Sequence, residues 1–144
     1  MPITYISAPF GGEWYAKALA VRHEVMRAPL GLCYTPEELA HDAHYQHFVA
    51  CDGDQVAANV SLALLDDRWA QIKQVAVHAG YERRGIGRAL IHYVEDQARA
   101  QGYSRAFLNA RVPTIGFYEK IGYVCEGDTF PLVGLPHQRM TKSL

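Results

Sequence analysis

Between Gln74 and Gln101 the chain passes from an apolar stretch, through a short basic loop with two glycines, into a long amphipathic segment. No other passage constrains the fold as much. Ile86, Leu90, Val94 and Ala98 recur at every fourth position, and Ala89 and Ile91 widen the stripe. That spacing predicts a helix from Gly85 to Gln101 with one buried face, stopped by Gly102 as a left-handed cap. Ahead of it, Val75-Ala76-Val77 reads as a buried strand. A strand feeding a helix through Glu82-Arg83-Arg84-Gly85-Ile86-Gly87 makes a cradle for phosphate. The first amides of a helix have no internal partners and carry partial positive charge. Gly85 and Gly87 let backbone come close to an anion. Arg83, Arg84 and Arg88 add guanidinium charge at the same place. The same residues also suit a glycine-relaxed helix start with a solvated arginine cluster.

Two common phosphate loops do not fit. A P-loop needs Gly-Lys-Ser/Thr after its glycines, and a dinucleotide fingerprint needs a third glycine where Leu90 stands.

The flanking elements follow from spacing and turn chemistry. Residues 2–7 read as a strand. Trp14, Ala18, Val21 and Val25 predict a helix from Glu13 to Arg27, ended by Pro29 and Gly31. Residues 35–41 form a brief second helix with Thr35 as its cap and Pro36 at its first position. His47–Cys51 and Gln55–Leu65 form a hairpin around Asp52-Gly53-Asp54, and Asp66-Asp67 turns the chain into the strand ending near Val77. Arg105–Asn109 is a strand, Thr114–Lys120 a short helix closed by Gly122, and Tyr123–Glu126 and His137–Lys142 are closing strands. The order β α α β β β α β α β β predicts an α+β fold, a mixed sheet with helices on both faces. With no repeat and no linker-like stretch, residues 1–144 are read as a single domain.

Composition excludes some function classes. A net charge of −1 gives no footprint for nucleic acid or a membrane surface. No apolar run approaches the roughly 18 residues of a membrane span, and the N-terminus lacks the pattern of a signal peptide. Cys33, Cys51 and Cys125 are odd in number and far apart, which argues against disulfides and a cysteine metal site and fits a reducing cytoplasm. Cys125 is expected as a buried strand cysteine rather than a nucleophile. His41, His44 and His47 have metal-like spacing, but His47 opens a strand, which breaks the geometry, so no metal is expected.

With these residues in place, Glu82-Arg83-Arg84-Gly85-Ile86-Gly87 resembles the acetyl-CoA-binding motif of the GNAT acetyltransferase superfamily, Q/R-x-x-G-x-G/A. Glu82 departs from the usual Gln or Arg. Leu108-Asn109-Ala110-Arg111 with Gly116-Phe117-Tyr118-Glu119-Lys120-Ile121-Gly122-Tyr123 is similar to the family's N-x-x-A-x-x-F-Y-x-K-x-G-F/Y segment. Val21 to Arg27 and the Phe130–Met140 tail resemble the branch of ElaA- and YjcF-like proteins. The resemblance implies an acyl-CoA N-acyltransferase fold. It implies acetyl-CoA as co-substrate, and acetyl transfer to a primary amine of a small molecule or protein by direct attack in a ternary complex. Homodimers occur in the family.

The resemblance also implies roles. Val75, Ala76 and Val77 pair with the pantetheine arm as an added strand would, with an amide near Val77 as oxyanion donor. Arg83, Arg84, Gly85, Ile86, Gly87, Arg88 and Ala89 hold the pyrophosphate, while Asn109, Phe117, Tyr118 and Lys120 complete the cofactor site. Tyr118 matches the family's general acid; a phenol and a thiol have neighbouring pKa values. For the general base, Glu24, His78 and His137 all remain candidates. Tyr118 favours catalysis over a catalytically silent acetyl-CoA-binding regulatory module, but binding residues alone do not separate the two. A nucleotide-phosphate-binding α/β protein is the other alternative.

Overall fold

The computed structural model of the chain describes residues 2–144. Among these, eight strands form one sheet: β1 (Thr4–Ser7), β2 (Gln46–Asp52), β3 (Gln55–Leu64), β4 (Trp69–Val77), β5 (Arg105–Arg111), β6 (Val124–Cys125), β7 (Phe130–Leu132) and β8 (Leu135–Ser143). Four α-helices join them: α1 (Glu13–Arg22), α2 (Pro36–His41), α3 (Ile86–Ala100) and α4 (Ile115–Lys120). The spatial order is β1-β2-β3-β4-β5-β8-β6, with β7 also on β8. All neighbours are antiparallel except β4 and β5. This is the α+β mixed sheet expected from the sequence, with one strand more, β7.

The helix signals act where they were read. Thr35 caps α2 in a reciprocal box: the Glu38 amide donates to its hydroxyl at 3.2 Å and the Thr35 amide donates to Glu38 Oε1 at 3.1 Å. Gly102 adopts φ +89° after α3. The helix predicted over 13–27 is α-helical only to Arg22. It continues as a π turn, His23–Arg27, and a 3₁₀ turn, Ala28–Leu30, ended by Gly31 at φ +69°. A π turn holds an extra residue, so the helical phase before it does not carry through.

Two cores lie on opposite faces of the sheet. Ile86, Leu90, Ile91, Val94 and Ala98 of α3 pack with Tyr118 and Ile121 against Val60, Leu62 and Ile72. On the other face, Ala18 and Val21 of α1 pack on Val49, Val56 and Ala76. Glu95, fully buried on α3, accepts from Tyr123 Oη at 2.7 Å and Lys142 Nζ at 2.9 Å, which satisfies a carboxylate within the apolar stripe.

Candidate active site

Parallel pairing of β4 with β5 stops at Gln71 opposite Phe107, although β4 runs on to Val77 and β5 to Arg111. Beyond that point the two strands splay. β4 also carries a bulge: its register against β3 shifts by one residue between Asn59–Ala76 and Ser61–Lys73. Gln74 sits in the bulge at φ +52°, a left-handed conformation costly for a side chain other than glycine. Asn59 Nδ2 donates to the Gln74 carbonyl at 2.9 Å and Tyr34 Oη donates to its Oε1 at 3.1 Å, so both backbone and side chain are tied down.

The splay opens a cleft of about 490 Å³. Val75, Asn109, Tyr118 and His137 line it together, with Met26 and Arg27 of the π turn on one wall and Leu132 and Val133 of the β7–β8 turn on another. Tyr118 is buried, and desolvation pushes its ionisation well above the ordinary phenol value. It therefore stays protonated near neutral pH. His137 is buried on β8 opposite Arg111, and its Nδ1 lies 2.8 Å from the Leu135 carbonyl. A carbonyl only accepts, so Nδ1 carries a proton, and Nε2 is the nitrogen open to the cleft chemistry in the neutral ring.

The basic loop is built as a helix start. Gly85 is the N-cap of α3 at φ +74°, and the Ala89 amide is the first to return to its carbonyl. The amides of Ile86, Gly87 and Arg88 thus have no helical acceptor. A Cβ on Gly87 would stand 3.0 Å from Val77 Cγ2, so glycine here lets the helix start close on the end of β4. The amide cradle and the open edge of β4 are therefore contiguous. Arg83, Arg84 and Arg88 are exposed around the cradle, Arg83 at φ +62° and Arg84 over the Tyr81 ring at 5.2 Å. Ile86 is a core side chain, so only its backbone faces outward. Ala89 is half-buried, and Phe117 and Lys120 are exposed on α4, outside the cleft lining.

Glu24 is not brought to the cleft. It is exposed on the π turn, 3.8 Å from His78 Nε2, and the two form a surface pair. The residue added by the π turn aims Val25 and Met26 inward in its place. Cys125, expected buried, is exposed because the two-residue β6 lies at the sheet edge. Both ring nitrogens of His47 are engaged, by Ser61 Oγ at 2.7 Å and the Asp42 carbonyl at 2.8 Å, leaving none for a metal shared with His41 and His44.

Beneath the cleft lies a buried polar chain that sequence reading missed. Arg22 Nη1 donates to Asp42 at 2.8 Å and Tyr15 Oη donates to the same carboxylate at 2.6 Å, both groups deep inside. Burial, with Asp42 alongside, pushes the Tyr15 phenol up to about 12. Asp42 connects through His47 and Ser61 to Asn59, and so to the bulge. On the near wall, Arg27 pairs with Glu38 and stacks 4.3 Å over Tyr34. The guanidinium holds the Glu38 carboxyl down at about 2.

Residues 12–123 match the acetyltransferase (GNAT) family. The chain belongs to that family. Its fold superposes on a candidate N-acetyltransferase from Lactobacillus plantarum with a TM-score of 0.89, at 22% identity and over 99% of this chain and 98% of that one. Escherichia coli ElaA gives 0.80 at 18% identity, over 98% and 99%. At these identities the likeness speaks for the fold. In sequence, the chain is 27% identical over 107 residues to the Bacillus subtilis uncharacterized N-acetyltransferase YjcF, 74% of each chain. The expected GNAT resemblance is thus borne out, and YjcF and ElaA are both among the proteins that this chain is similar to. The chain spans about half the length of the first curated relatives that it matches. The cradle, the splay and the bulged β4 are what a GNAT chain of this sequence builds.

Proposed function

We propose that this single-domain GNAT protein transfers an acetyl group from acetyl-CoA to a primary amine of a small molecule or protein, by direct attack in a ternary complex. The observation that carries the reading is the splay: one cleft holds the open β4 edge, the Tyr118 phenol and the His137 imidazole. The residues fit the cofactor. The free amides at Ile86–Arg88 and the guanidiniums of Arg83, Arg84 and Arg88 suit a pyrophosphate. The unpaired β4 edge at Val75, Ala76 and Val77 offers backbone to an extended amide-bearing arm, and an amide near Val77 is the donor for a developing oxyanion. Asn109, lining the cleft across from that edge, steadies the same arm. Acetyl-CoA supplies a thioester, an acyl group on a good leaving group.

The amine nitrogen attacks the thioester carbon; an N–C bond forms and the C–S bond breaks. An alkylammonium, with a pKa of about 10, must first lose a proton. His137 Nε2, held as an acceptor by the Leu135 carbonyl, takes it. The departing sulfur receives the Tyr118 proton. Burial weakens the phenol as an acid, and a thiolate released into the same dry cleft is a stronger base for the same reason. The second proton that the acetylated nitrogen sheds restores the Tyr118 phenol, and His137 passes its own proton to solvent. Glu24, outside the cleft, takes no part in this scheme.

The test is free-thiol release against a panel of amines, with calorimetry for coenzyme A binding. Tyr118→Phe lowers kcat about a hundredfold and leaves coenzyme A affinity unchanged; wild-type turnover removes Tyr118 from the mechanism. His137→Ala raises the acceptor KM or lowers kcat, and unchanged kinetics exclude it. Coenzyme A binding with no thiol release against any amine favours the silent sensor.

A further inference from the structure

The acceptor-side lining has an unusual sign for an enzyme whose acceptor is an amine. Three cationic residues, Arg27, Lys73 and Arg111, are among those that line the cleft, against one acidic residue, Glu38. That carboxylate is already committed to Arg27 in a two-point contact. Asp42, the nearest acid behind the wall, is committed to Arg22. Lys73 is half-buried on β4, immediately before the bulge, with its ammonium 5.2 Å from the Tyr45 ring centroid. Among the described residues no carboxylate stands within ion-pair distance of it. Burial lowers its pKa, with the Asp42 charge behind the wall opposing.

A plain cation such as a polyamine or a lysine-rich peptide would meet repulsion here, and no free acid would hold it. An amine that also carries an anion fits instead: the anion supplies what Lys73 lacks. Arg111, at the end of β5, stands on the opposite wall of the splay. The cationic walls also lower the pKa of a bound ammonium, which favours the free amine needed for attack. Leu30, Leu132 and Val133 give the same lining an apolar part, beside the polar Gln71, Gln74 and Thr114.

We infer that the acceptor is a small primary amine bearing a carboxylate and an apolar body, an apolar amino acid or a close analogue, with Lys73 as the anchor of its carboxylate. The inference rests on the acetyl-transfer reading but is tested apart from it.

The experiment is calorimetric titration of apolar L-amino acids and of the matching amines without the carboxylate, into protein saturated with coenzyme A and into protein without it. At least one amino acid is expected to bind about tenfold or more tighter than its decarboxylated partner, the scale of a charge-assisted hydrogen bond. Lys73→Gln removes that discrimination while the coenzyme A Kd holds. Lys73→Arg, which keeps the charge, restores it. The inference is overturned if the decarboxylated amines bind as tightly, if no amino acid binds at millimolar concentration, or if discrimination survives Lys73→Gln. Carboxylate selectivity with no coenzyme A binding strikes the transfer reading alone.

Discussion

On one face of the sheet, Leu90, Ile91, Val94 and Ala98 of α3 lie fully buried among aliphatic side chains, and the single acid among them, Glu95, is closed off by Tyr123 and Lys142. On the other face, α1 carries Tyr15 and Arg22 inward to Asp42, and the chain of contacts continues through His47 and Ser61 to Asn59. The first face is held by area removed from water, which is non-directional and nearly additive. The second is held by partners that each need the others, because a lone buried charge or donor costs its full desolvation. The polar face is the one that ends on the β4 bulge, where Asn59 holds Gln74. Directional bonds can fix a strained backbone; apolar packing alone specifies it less tightly.

The largest difference between the two faces is expected at Asp42. Asp42→Ala leaves Arg22, 1% exposed, as an unpaired buried charge, with an expected loss of about 3–5 kcal/mol. Urea unfolding measures it. Replacing Arg22 and Asp42 together by Met and Leu should recover most of that loss, since the cost lies in the orphaned partner. A double variant as unstable as Asp42→Ala breaks the argument. Leu90→Ala, at a fully buried position on the apolar face, costs about 3 kcal/mol through lost transfer and a cavity. No second change on that face should rescue it by removing a partner.

The same contrast explains what could be read in the sequence. α3 was legible because its stripe is local: Ile86, Leu90, Val94 and Ala98 repeat in phase with one helix. The order of the other elements followed from turn residues such as Asp52-Gly53-Asp54 and from the Thr35-Pro36 cap. The Arg22–Asp42 pair was not legible. It joins residues 20 apart, and a charged residue on a helix is ordinarily solvated. Lys73 and Asn59 sit in strands, where a single polar residue has no periodic signature. Glu24 stood among the candidate bases on the helix expected over 13–27, and the π turn at His23–Arg27 alters the course of that helix just where Glu24 lies. β7 was missed because its turn is Val133-Gly134, with Val133 at φ +45°; a β-branched residue is a poor signal for a left-handed turn position. Of the site, Tyr118 and His137 were found through the family resemblance, whereas their meeting in one cleft depends on the splay, which no local pattern encodes.

The smallest expected effect is in pH, and it separates the two faces by a different observable. His47 donates from Nε2 to the Asp42 carbonyl and accepts at Nδ1 from Ser61, so the folded ring is complete as a neutral group. Burial lowers its pKa from 6.5, with Arg22 adding a little in the same direction and Asp42 opposing. In the unfolded chain the imidazole takes a proton as pH falls through about 6.5, while the folded protein does not. The unfolded state then binds more protons, so stability falls with pH across that window, by at most about 1.4 kcal/mol per unit from this group, until folded His47 itself is protonated. Urea midpoints at pH 7.5, 6.5 and 5.5 measure the slope. His47→Gln should flatten it and Leu90→Ala should lower the whole curve with the slope intact. Equal slopes for wild type and His47→Gln would show that the polar face carries no buried neutral imidazole.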